Sequence, residues 1–371
     1  MARRAALALL ALIAAAPVLA GPAGAQDADS GAAPPSRRRV KLFAYPYVFY
    51  SPETDFAFGA GGIVYFRAGA DTALRPSKVV VSAYYTANRQ YKVTLSHDLF
   101  ADSNRTVGGA DISIGHFVDK FYGTGGAAPD TGNPAYLLNL ASFELTFARR
   151  PTKKGFLRVG GVVHVDYQAN VDKQNNYFLV NGTVNGSDGG WTTGIGATVT
   201  VDSRDNVFFP HRGVLWDFRL VFFGEQLGGD FDYTDLITDL RWYHPFGERH
   251  VIGVQGYAAL ARGDPPYYKL PKLGGSSRMR GWYEGRYRDR VFWTTQIEYR
   301  WSLTGRFGTA AFAAVGDVGE DFEALRDTRV KFSAGGGLRY MLDVNERLNI
   351  RADIGFGRGT TGVYFAIEEA F

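Results

Sequence analysis

The sequence has no cysteine in its 371 residues, so a disulfide framework, a thiolate nucleophile and a cysteine-ligated metal are all excluded. No apolar stretch of the length a bilayer-spanning helix needs is present, nor any sustained helical period. Histidine is scarce. His97, His116, His164, His211, His244 and His250 show no metal-ligand spacing to one another or to an acid on one element. His164 and Asp166 share a strand face, which reads as a contact inside the fold and not as a catalytic couple. A Gly-x-Ser-x-Gly elbow and a phosphate loop are both missing, and Gly335–Gly337 lies mid-strand, where glycine permits bends. A net charge of +4 is too small to point to nucleic acid. The expectation is a non-enzyme with no metal, no cofactor and no nucleic-acid partner.

What is present is glycine (46 residues) and aromatics (15%), the composition of many strands and tight turns. Met1 to Ala25 has a targeting segment's layout: Arg3 and Arg4, a short apolar core, and the small-residue site Ala23-Gly24-Ala25. Export would put Gln26 at the mature terminus, and a cysteine-free chain suits an oxidising compartment. Residues 26–39 (QDADSGAAPPSRRR) read as a disordered linker too short to fold. From residue 40 on, apolar and polar residues alternate. Thr294, Gln296, Glu298 and Arg300 oppose Trp293, Ile297, Tyr299 and Trp301, and Asn349, Arg351, Asp353 and Gly355 oppose Leu348, Ile350, Ala352, Ile354 and Phe356. Segments of roughly ten such residues with aromatics near their ends fit transmembrane barrel strands.

Sixteen segments qualify: 40–50, 54–67, 77–87, 90–100, 105–117, 137–149, 155–168, 190–202, 212–224, 230–244, 249–262, 290–302, 306–318, 329–342, 346–357 and 361–371. The even count allows an antiparallel barrel to close. With both termini periplasmic, the long connections 118–136, 170–189, 263–289 and 319–328 fall outside and the short turns inside. The expected fold is an all-β, sixteen-stranded antiparallel transmembrane barrel. Its longest loop, between strands 11 and 12, carries Gly274–Arg286, rich in arginine and glycine yet holding Trp282 and Tyr283, and is expected to fold inward. Pro46 cannot donate to a ladder, so it belongs at an edge, the junction of strands 1 and 16 where Phe371 ends the chain; alternatively, pairing starts after Pro46.

Three stretches resemble the BamA/TamA superfamily of outer-membrane assembly barrels, also called the bacterial surface antigen family. Met279-Arg280-Gly281-Trp282 is similar to that family's loop tip; Asp202-Ser203-Arg204-Asp205 through Phe209-Pro210 to Gly213 is similar to its periplasmic turn motif; and the last five strands follow its pattern. The resemblance implies that Arg280 enters the lumen and pairs with Glu298. Ala314 stands where an aspartate is usual, leaving Asp317 as the secondary partner although it faces the other way in an unbulged strand, and Glu368 stands where the closing signal tends to have glycine. Residues 26–39 leave no room for the family's periplasmic POTRA domains, so a member lacking them is expected. The function implied is membrane insertion, assembly or lipid organisation at the outer membrane. Its implied partners are outer-membrane lipids, the general barrel-assembly machinery and a separately encoded periplasmic subunit. The alternative is a passive or loop-gated channel for small solutes.

Overall fold

The computed structural model describes residues 40–51, 55–67, 74–129, 134–152, 155–326 and 329–371. The targeting segment and linker lie outside them. Sixteen strands follow in chain order: β1 (Lys41–Ser51), β2 (Asp55–Phe66), β3 (Ser77–Thr86), β4 (Tyr91–Ala101), β5 (Thr106–Lys120), β6 (Ala135–Arg149), β7 (Leu157–Asp172) and β8 (Gly189–Asp202). The second half comprises β9 (Gly213–Phe223), β10 (Tyr233–Pro245), β11 (His250–Gly263), β12 (Val291–Thr304), β13 (Phe307–Gly319), β14 (Lys331–Asp343), β15 (Leu348–Gly357) and β16 (Thr360–Ile367). Each pairs antiparallel with its sequence neighbours in one sixteen-stranded sheet.

Side-chain parity gives the sheet its solvent logic. On β12, Thr294, Gln296, Glu298 and Arg300 are buried, and the apolar Ile297 and Trp301 are exposed. On β14, Phe332 and Leu338 are 68% and 67% exposed, against 4% for the inward Arg339. A water-soluble sandwich would show the reverse. A face of exposed Phe, Leu, Val and Trp around a charged interior is stable only where the outside is hydrocarbon. The sheet is a transmembrane barrel with a polar lumen.

Two terminal details are decided by the structure, one of them between the alternatives left open for Pro46, which sits on an end strand of the sheet. Pairing does not wait for Pro46: β1 runs in register with β2 from Lys41 opposite Tyr65 through Pro46 opposite Ala60 to Ser51 opposite Asp55. The last strand does not run to Phe371. It ends at Ile367, because Glu368 takes a left-handed backbone (φ 73°) and turns the final residues inward. Phe371 is therefore buried against Tyr243 and Val251 and is not a seam residue. β1 and β16 stand at the two ends of the sheet order, and no backbone ladder joins them among the described residues.

Candidate functional site: the docked loop and the lumen

The β11–β12 loop folds back on itself before it folds inward. Lys272–Leu273 pairs with Tyr287–Arg288 as a two-stranded ribbon, from whose end the tip projects. Tyr267 and Tyr268 anchor its start in a cluster with Phe121, Tyr136, Leu138 and Leu179. The tip lies against the inner wall at a row of glycines. A Cβ on Gly281 would come within 2.7 Å of the Phe356 backbone, and one on Gly355 within 2.7 Å of Arg280. Gly281 also has φ 110°, which an L side chain rarely adopts. Once seated, the Gly281 N–H donates to Tyr364 Oη (2.9 Å) on β16, and Trp282 Nε1 donates to the Phe332 carbonyl (3.0 Å) on β14.

Arg280 is wholly buried. Its Nη2 donates to Glu298 Oε2 on β12 (2.5 Å), its Nη1 to Asp353 Oδ2 on β15 (2.6 Å), and its guanidinium lies 3.5 Å from the centre of the Phe312 ring. One planar cation thus ties together two strands separated by β13 and β14, with an aromatic face beneath. The two acids are shared with Arg300 (2.7 Å from Glu298), Arg339 (2.5 Å from Asp353) and Arg351 (2.6 Å from Asp353). A lone buried carboxylate would be costly; a lattice of alternating charges inside a polar lumen is tolerated.

Asp317 is not a partner of Arg280. Its carboxylate is wholly buried and takes the ammonium of the inward-facing Lys331 at 2.5 Å. Ala314 packs instead among Leu273, Met279, Trp282 and Phe292, so an apolar contact occupies that position and the second carboxylate comes from Asp353. Asp353 was readable as inward-facing from alternation, but parity gives the face of a strand and not the height of a residue within the lumen.

The β8–β9 connection makes a second set of inward contacts, at the end of the sheet opposite the β11–β12 loop. Asp202 accepts both Arg204 Nε (3.0 Å) and Arg204 Nη2 (3.1 Å) and also pairs with Arg75. Asp205 accepts the N–H groups of His211 and Arg212 and the Arg347 guanidinium (2.7 Å). Burial pushes the Asp205 pKa up, but these donors outweigh it and hold it below the ordinary carboxylate value. Gly213 has φ 111°, and a Cβ there would meet Ser203 O at 2.5 Å. Pro210 is buried, and Phe208 packs with Ile63, Tyr65 and Leu348. This strap leaves the wall half-way round the sheet order and reaches strands near both ends of it. Asn206 Nδ2 adds a bond to the Glu346 carbonyl (3.0 Å).

Side chains also link the two ends of the sheet order: β1 to the end of β14, the residue after β2 to the β14–β15 turn, and β3 to the residue after β16. Lys41 pairs with Asp343, Arg67 with Glu346, and Lys78 with Glu368 (2.8 Å). The inturned C-terminus is held by Arg300 on the Phe371 carbonyl (2.7 Å) and by Arg339 on Glu369 (2.7 Å). His164 contacts Glu144 (3.0 Å), Asp166 (2.5 Å) and Lys269 (3.2 Å) within the lumen. No cluster of potential metal ligands occurs among the described residues.

Solved structures of similar fold include BamA from Haemophilus ducreyi lacking POTRA domains 1–3, with TM-score 0.56, 14% identity, and coverage of 90% of this chain and 70% of that one. CdiB from Acinetobacter baumannii matches with TM-score 0.59 and 13% identity over 88% of this chain and 59% of that one. CdiB from Escherichia coli gives 0.59 and 12%, over 88% and 61%. The chain thus spans about three fifths of the CdiB chains it matches. No curated protein matches it significantly in sequence. The Omp85 superfamily domain, however, matches residues 58–371, from β2 through the inturned C-terminus, and the chain belongs to the Omp85 superfamily.

Proposed function

We propose that this protein resides in the outer membrane and acts there on the insertion or assembly of partner proteins or on lipid organisation, as a plugged scaffold and not as a pore. The supporting observation is the buried Arg280–Glu298–Asp353 latch, which seats the longest loop inside the lumen. A barrel of sixteen strands left empty would be a wide aqueous channel. Here the loop occupies it from outside, and the Phe208 strap with the inturned Phe371 obstructs it from the periplasmic side. Residues 1–25 would direct export, and 26–39 would tether the barrel's start. Its partners in this reading are outer-membrane lipids, the barrel-assembly machinery that inserts it and a separately encoded periplasmic subunit. No residue is assigned a catalytic role. Planar-bilayer recording of the purified chain tests the proposal. Rare, brief openings are expected; a stable, large, always-open conductance would replace the scaffold with a passive channel.

A further inference from the structure

We infer that the extracellular vestibule beside β16 binds an anionic amphiphile, a molecule with a phosphate headgroup and an apolar tail. A cavity of about 1040 Å³ lies there, bounded by β1, β3, β16 and the docked loop. Its lining includes Gly362 and Tyr364 from the lumen face of β16, and also Val363 and Phe365 from its outer face. The edge of β16 away from β15 carries no ladder among the described residues, so no backbone pairing there separates the cavity from the hydrocarbon side. Val363 and Phe365, 62% and 67% exposed, make that outlet apolar.

The other end is cationic. Lys120, Arg286 and Arg358 line it, against Glu284 as the one carboxylate in the lining. Arg286 is held 4.5 Å from the ring centres of both Tyr122 and Tyr287, with Nη2 on the Ala128 carbonyl (3.1 Å). The two rings hold the guanidinium in place at the cavity wall, where it supplies positive charge. Lys120 Nζ lies 5.4 Å from the centre of the Tyr283 ring, and Arg358, exposed in the β15–β16 turn, makes no ion pair among the described residues. A phosphate suits such planar forks, and tyrosine rings with one apolar and one wet side suit the level where a headgroup meets acyl chain. A free inorganic anion would use the cations but leave the apolar outlet unexplained. The inference uses the unladdered edge and does not require that the protein insert clients.

The test uses the purified full chain in dodecyl-maltoside micelles, offered phosphatidylglycerol, phosphatidylcholine or soluble glycerophosphoglycerol, with bound lipid counted by native mass spectrometry. Phosphatidylglycerol should be retained, phosphatidylcholine should not, and the soluble headgroup should fail to displace it. Arg358→Gln, in an exposed turn, should reduce retention about tenfold, the loss of one charge-assisted contact. Adding Arg286→Gln should reduce it further, and Phe365→Ala should reduce it with every cation in place. Heat-modifiable migration on gels checks that each variant remains a barrel. Equal retention of phosphatidylcholine, full displacement by the soluble headgroup, or wild-type retention in Arg358→Gln would each overturn the inference. None of these outcomes bears on insertion, because no client is present.

Discussion

At the scale of single residues, Arg280 gives the sharpest expectation. Arg280→Ala removes the cation between two buried acids and should destabilise loop docking by about 3–5 kcal/mol, the cost of breaking a buried pair. The barrel should persist while Gly274–Arg286 becomes cleavable by protease on intact cells; an unchanged cleavage pattern would refute the latch. Arg280→Lys should not restore protection, because a single ammonium cannot place two donors on Glu298 and Asp353. Glu298→Gln should be milder, since Asp353 still holds Nη1, and the double variant Arg280→Ala/Glu298→Gln should be less than additive in thermal-shift measurements. Full additivity would mean that the two side chains do not act through one contact. The Arg280–Glu298 pair was legible through the resemblance of the loop motif to the superfamily, with strand alternation turning Glu298 inward. Asp353, Tyr364 and Phe312 were not, since they meet the tip only through barrel curvature and strand stagger.

At the scale of elements, the strap between β8 and β9 carries its own expectations. Phe208→Ala should cost about 3–5 kcal/mol by opening a cavity beneath Tyr65 and Leu348, and it should raise conductance in planar bilayers. Unaltered conductance would mean that the strap does not obstruct the lumen. Asp205 adds a pH dependence. Its folded pKa lies below the unfolded value of about 3.9, so its contribution is complete at neutral pH, fades as pH falls below about 4, and vanishes below the folded pKa. Heat-modifiable migration scanned with pH should show that loss in the wild type and not in Asp205→Asn. Strand existence and facing were read well from alternation: 212–224 was expected and Gly213–Phe223 observed, 346–357 expected and Leu348–Gly357 observed. Alternation missed the end of β16, because Glu368 breaks the strand by backbone conformation while the residues after it keep an apolar look. The strap's reach was invisible for another reason: a turn motif names the residues that shape a bend, not the distant strands it meets.

At the scale of the molecule, the seam is where the sheet is weakest. Every other neighbouring pair is laddered, and each unmet backbone group in hydrocarbon would cost several kcal/mol unless satisfied otherwise. Cysteines introduced as Tyr47→Cys and Phe365→Cys, joined by a short bifunctional thiol reagent, should abolish whatever activity the wild type rescues. The chain has no native thiol to confuse the result. Full activity with the seam tied would reject lateral opening and favour a route through the lumen.

The fastening between the two ends of the sheet order is made of charges: Lys41 to Asp343, Arg67 to Glu346, Lys78 to Glu368. A backbone ladder is almost indifferent to dissolved salt, whereas partly exposed ion pairs weaken as the screening length falls from about 10 Å at 0.1 M to about 3 Å at 1 M. The junction would therefore be tunable by ionic strength, tight in dilute surroundings and looser in brine, while the rest of the wall stays as it was. For an organism whose envelope meets changing salinity, the medium itself would then set how readily this barrel parts.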